Sequence, residues 1–95
     1  MDTIKISGIN YTIEELPPED VNGNVGQADF NCQRILINNT MSPQTKMIAR
    51  WHEMIHLVDT VYGVELSEEQ VVKLTHGVLA VFLDNPSLLD ILNKY

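Results

Sequence analysis

Ser42-Pro43-Gln44-Thr45-Lys46-Met47-Ile48-Ala49-Arg50-Trp51-His52-Glu53-Met54-Ile55-His56-Leu57-Val58-Asp59-Thr60-Val61-Tyr62-Gly63 has no glycine or proline from Gln44 to Tyr62. Ser42 is a natural N-cap, and Pro43 suits the first helical position, where a missing N–H needs no partner. Gly63 supplies the left-handed residue that closes a helix. Ile48, Trp51, Ile55, Val58 and Tyr62 recur in steps of three and four, which predicts a helix over 43–62 with that stripe toward the core.

On the C-terminal side, Ser67 with Gln70 three residues later makes a capping box, opening a second helix. Val71, Val72, Leu74, Thr75, Val78, Leu79 and Phe82 carry it to the stop at Asn85-Pro86, and Ser87 caps a short final helix, Leu88 to Asn93. On the N-terminal side the pattern is that of strands. Ile4-Lys5-Ile6 and Tyr11-Thr12-Ile13 flank a Ser7-Gly8 turn and read as a hairpin. Pro17-Pro18 interrupts regular structure, and Asn22-Gly23-Asn24 reads as a loop that extends through Gly26. Asp29-Phe30 and Arg34-Ile35-Leu36-Ile37 form a second pair of strands across Asn31–Gln33. The expected fold class is α+β: small N-terminal antiparallel hairpins or sheet, then two longer helices and a short C-terminal one.

A chain of 95 residues makes one domain, 1–95, with a small core. Thirteen Asp and Glu against six Lys and Arg leave a net charge of −7, which argues against direct nucleic-acid binding. No run of 18 apolar residues is present, so a membrane span is not expected, and no signal peptide opens the chain. The single Cys32 forms no intrachain disulfide, which fits a reducing cytoplasm. Cys32 has no neighbouring His to activate it, and Gly23 and Gly26 lack the strand-to-helix context of a phosphate loop.

His52-Glu53-Met54-Ile55-His56 is an H-E-x-x-H pattern in mid-helix. Residues i and i+4 stand one above the other, so both imidazoles converge on one ion, with Glu53 beside them as general base toward a water. One zinc ion per chain is the expected cofactor. Such a site wants a third protein ligand, and the candidates are Asp59, Glu65, Glu68, Glu69 and His76. Glu68 shares the stripe of Val71, Val72, Thr75, Val78, Leu79 and Phe82, whereas Glu69 falls about 100° away, so periodicity favours Glu68. Glutamate in a first helical turn is also ordinary dipole chemistry. Met47, Trp51 and Met54 are candidates for a substrate cleft or, more ordinarily, for the core. Tyr62 lies one turn beyond the motif, within reach as an oxyanion donor.

Ile35-Leu36-Ile37-Asn38, the His52–His56 helix and Glu68-Glu69-Gln70-Val71-Val72-Lys73-Leu74-Thr75 together resemble ImmA/IrrE-type zinc metallopeptidases, especially short phage-encoded ones. The resemblance covers roughly residues 34–83, and its specific part is H-E-x-x-H. In that family an acidic residue opens the helix after the motif, with small or apolar residues at +3, +7, +10 and +11. This implies His52, His56 and Glu68 as ligands, followed by Val71, Thr75, Val78 and Leu79. Ala49 stands where a Thr is frequent, and Trp51 where the family is aliphatic.

Zinc-dependent peptide hydrolysis is the expected function, with a polypeptide lying along an exposed strand of the sheet. The alternative is a zinc-stabilised, non-catalytic protein-binding module of phage or mobile-element origin; an interaction protein without metal is a third reading. Substrate, cleavage site and oligomeric state are not legible in the sequence.

Overall fold

The computed structural model describes residues 2–94. Four strands, β1 (Asp2–Ile6), β2 (Ile9–Leu16), β3 (Gly26–Asp29) and β4 (Arg34–Asn38), precede three helices, α1 (Pro43–Tyr62), α2 (Glu68–Asp84) and α3 (Leu88–Leu92). The fold is α+β, as the sequence predicts.

Both hairpins form. Ser7 and Gly8 take φ of 50° and 82°, the twist a two-residue turn needs, and bring Ile6 opposite Ile9. In the second hairpin Asp29 Oδ1 accepts the Cys32 N–H at 3.1 Å, so the side chain shapes the turn itself. The hairpins join along β2 and β4, which run parallel, in the sheet order β1-β2-β4-β3. The sheet is therefore mixed, not antiparallel throughout. Ile35, Leu36, Ile37 and Asn38 are all buried, the signature of a strand covered on both faces and paired on both edges. A single 3-10 turn, Pro18–Val21, follows the two prolines where no regular structure is expected, and it packs against β4.

Strand β3 begins at Gly26, earlier than the sequence suggests, while Phe30 falls in the turn beyond it. It is an edge strand, paired only with β4. A Cβ on Gly26 would lie 3.3 Å from Glu53 Cγ and 3.4 Å from the Leu36 carbonyl oxygen. A glycine here lets the strand approach α1 without pushing the Glu53 side chain aside.

Ile6, Tyr11, Ile35, Ile37, Ala49 and Leu57 make the core between sheet and α1, and Met54 packs against it. The deepest face of α1 carries Ala49, Glu53 and Leu57. It differs from the apolar stripe read in the sequence, on which Trp51 packs against Phe82 of α2 with ring centroids 5.0 Å apart. The helix is sandwiched between two partners, and periodicity alone cannot tell which one buries it more. On α2 the buried seam is Val71, Thr75 and Leu79, the centre of the predicted stripe, whereas Val72 and Phe82 on its flanks are exposed.

The caps hold α1 and the start of α2 where they are predicted, whereas Ser87 makes no side-chain cap bond to α3, which ends at Leu92 and not Asn93. Ser42 Oγ accepts the Thr45 N–H, and Gly63, in the left-handed region at φ 62°, returns its N–H to the Asp59 carbonyl. Ser67 and Gln70 complete their capping box at 3.2 and 2.8 Å. No helix of the described residues is long and apolar enough to cross a membrane.

Candidate metal centre

Because α1 is unbroken, His52 and His56 stack on one side of it, with ring centroids 4.8 Å apart. Because Ser67 fixes the start of α2, Glu68 stands in its first turn, one turn before buried Val71 and facing α1. The three side chains meet. His52 Nε2 lies 2.8 Å from Glu68 Oε1, His56 Nε2 lies 3.0 Å from Oε2, and the two Nε2 atoms are 3.2 Å apart.

Hydrogen bonding alone satisfies this triangle poorly. If each imidazole donates its Nε2 proton to Glu68, two N–H donors face each other across the remaining edge. A metal ion resolves the conflict, since all three atoms then act as electron-pair donors. Two ligands each about 2.0–2.1 Å from a tetrahedral zinc lie about 3.3 Å apart. The observed edges fall within a few tenths of an ångström of that spacing at the His pair and slightly inside it at Glu68. Both histidines are partly exposed and Glu68 is 64% exposed, so one side of the group opens to solvent. His52, His56 and Glu68 are thus a group able to hold a metal ion.

The other candidate ligands lie elsewhere. Asp59 Oδ1 accepts the Leu66 N–H at 3.2 Å and ties the link between α1 and α2. Glu69 pairs with Lys73 one turn on, His76 is exposed on α2, and Glu65 occupies the link at φ 65°. The Tyr62 hydroxyl bonds Ser7 Oγ in the first hairpin turn instead of serving the site.

Glu53 is 8% exposed, on the face of α1 that meets β3. Burial pushes its carboxyl pKa up, and the neighbouring Glu68 charge acts in the same direction; His52, His56 and the Ala28 backbone N–H oppose them. A carboxyl poised toward holding a proton, beside a metal group, suits acid–base work.

Two clefts meet at Gly26 and Glu53, which line both. One, of about 320 Å³, runs past Val25, Ile48, Ala49 and His52; the other, of about 340 Å³, passes Gln27, Phe30, His56 and Thr60. A larger cleft of about 390 Å³ between Glu14, Leu16 and Arg50 holds none of these side chains. Convergent donors, not size, mark the site. Gly26 and Asn38, which shape its surroundings, were missed as site residues by sequence reasoning. The close approach of Gly26 to Glu53 joins residues 27 positions apart, which no local pattern reports.

An α+β domain with a His-His-Glu group across two helices and a buried carboxylate beside an edge strand is the class that fold and site define. No protein-family profile matches the chain, and comparison with characterised proteins and with solved structures finds no match to either.

Proposed function

We propose that this protein is a zinc-dependent peptide hydrolase of the gluzincin type, akin to the ImmA/IrrE-type metallopeptidases. The carrying observation is that His52, His56 and Glu68 converge while Glu53 is buried next to them at an open sheet edge. His52 and His56 present Nε2, and Glu68 presents a carboxylate oxygen: an N,N,O donor set that suits zinc.

A bound zinc ion would supply Lewis acidity, bringing a water toward ionisation near neutral pH and polarising a peptide carbonyl. Glu53 takes the proton of the attacking water and later passes it to the leaving amine, a role its raised pKa favours. The free edge of β3 offers main-chain groups to an extended polypeptide, and the two clefts beside it receive alternate side chains. The reaction belongs to the cytoplasm in this reading, consistent with the lone, exposed Cys32.

Replacing Glu53 by Gln is the direct test. The variant retains about one zinc per chain by elemental analysis and loses peptide hydrolysis by about 10²–10⁴-fold. Full activity in the variant would overturn the mechanism.

A second reading is a zinc-stabilised protein-binding module without turnover. It is favoured by Leu83, Leu89 and Leu92, exposed at 60%, 64% and 59%. Under it, wild type and Glu53→Gln behave alike in every peptide-cleavage and partner-binding assay, while both bind zinc.

A further inference from the structure

We propose that strand β1, at the edge of the sheet opposite β3, is a docking surface for an extended segment of another protein. That segment carries an apolar residue and, two positions later, a lysine or arginine. The surface shares no residue with the metal group or with the two clefts beside it, and it stands independently of the peptidase reading.

β1 is paired on one side only, with β2. Its hairpin closes on Ile6 and Ile9 across a two-residue turn, and such a turn joins a hydrogen-bonded pair. Alternation then points the main-chain groups of Ile4 and Ile6 toward β2 and those of Thr3 and Lys5 outward. An incoming strand finds donors and acceptors at Thr3 and Lys5. It meets Ile4 at a non-hydrogen-bonded position, where facing side chains lie closest.

Beside Ile4, the sheet and α1 leave a trough of about 280 Å³ lined by Ile4, Ile13, Arg50, Trp51 and Met54. All five are only partly buried. Trp51 is braced by Phe82 of α2, so that wall is in place before anything binds. An aromatic wall with a methionine beside it suits a Leu, Ile or Met side chain.

The other end of the surface is acidic. A cleft of about 390 Å³ shares Ile13 and Arg50 with the trough and is otherwise lined by Asp2, Glu14, Glu15 and Leu16. Glu15 is held by Lys46 at 2.7 Å and Arg50 at 3.4 Å. Glu14 reaches only Arg34, at 3.9 Å, and Asp2 makes no ion pair among the described residues. Asp2 stands two residues from Ile4, on the same face of β1. On an antiparallel partner the residue opposite Ile4 comes first, and the one opposite Asp2 follows two positions later. Charge complementarity makes the first apolar and the second basic. A second copy of this chain does not fit. Two β1 strands paired about a twofold axis at Ile4 or Thr3 set Asp2 of one copy opposite Ile6 or Ile4 of the other, and both copies carry a net charge of −7.

Trp51 is the only tryptophan, so its emission reads occupancy of the trough. The test titrates the Glu53→Gln chain, chosen so that the probe is not hydrolysed, with the peptide acetyl-Thr-Thr-Leu-Thr-Arg-Thr-amide. The expected result is a shift in Trp51 emission, amide NMR shifts concentrated at Thr3, Ile4 and Lys5, and the same affinity with and without a zinc chelator. Serine in place of the peptide's leucine weakens binding at least about tenfold, and Asp2→Lys in the protein weakens it about fivefold. Methylating the main-chain nitrogens of the two residues flanking that leucine abolishes it. A peptide with its leucine and arginine exchanged binds more weakly, and equal or tighter binding overturns the antiparallel order. Absence of binding at millimolar peptide overturns the surface, as do shifts confined to Gly26–Asp29 and His52. A chain that sediments as a dimer, with the Thr3 and Lys5 amides protected from exchange, gives the edge to a second copy and overturns the assigned partner.

Discussion

Glu53 is a carboxylate in a place where a hydrophobic residue would better serve the fold. It lies in the buried seam of α1 between Ala49 and Leu57, and burial raises its pKa. A carboxyl whose folded pKa lies above its unfolded one opposes folding at every pH above the unfolded value. Metal-free Glu53→Gln should therefore melt higher than metal-free wild type at pH 7, by a few degrees in a thermal scan. A lower or equal melting temperature would mean the carboxylate is better accommodated than its burial implies. The same scale separates two adjacent glutamates. Glu68 joins the histidines, whereas Glu69 pairs with Lys73 on the exposed flank of α2. Glu68→Gln should weaken zinc binding at least about tenfold in a chelator competition, since it removes a ligand's charge. Glu69→Gln should leave the affinity unchanged, and equal losses in the two variants would count against the ligand assignment.

At the scale of elements, the site depends on how the link 63–67 aims α2. Gly63 ends α1 in the left-handed conformation, the Asp59 carboxylate holds the Leu66 N–H, and Ser67 starts α2 with its capping box. Glu68 follows at once, so any loosening of the link moves a ligand. Asp59→Ala should lower zinc affinity about tenfold, in the range seen when a supporting group is lost. Asp59→Asn, which keeps Oδ1 as an acceptor, should restore most of it. If both variants bind zinc like wild type, the link is positioned by its caps alone. Strand β3 acts as a second aiming element, since Gly26 leaves room for the Glu53 side chain against it.

Over the whole molecule, the sheet and α1 share one core, whereas α2 packs chiefly on α1. A metal ion on His52, His56 and Glu68 would add a tie between those two helices. At a hundredfold excess over its Kd, zinc that binds only the folded form contributes about 2.7 kcal/mol. In a domain of this size that raises Tm on the order of 10 °C. Hydrogen exchange with and without a chelator should show the added protection concentrated in α2 and its junction with α1. Protection gained evenly across sheet and helices would point to global stabilisation without a specific tie.

Local chemistry made much of this chain legible. The helix ends follow from Ser42, Gly63, Ser67 and Asn85-Pro86, because capping is decided by residues a few positions apart. The first hairpin follows from Ser7-Gly8 for the same reason, and the His52/Glu53/His56 arrangement from the pitch of a single helix. Glu68 was within reach because one periodic stripe places it on the seam of α2. What required the tertiary structure joins distant parts of the chain: the parallel pairing of β2 with β4, the choice between two faces of α1, the entry of Gly26 into an edge strand, and the meeting of that strand with Glu53. Such contacts carry no sequence period. They are set by which apolar surfaces find each other once the chain has collapsed, and here that choice turned a helix bearing a motif into a centre flanked by two clefts.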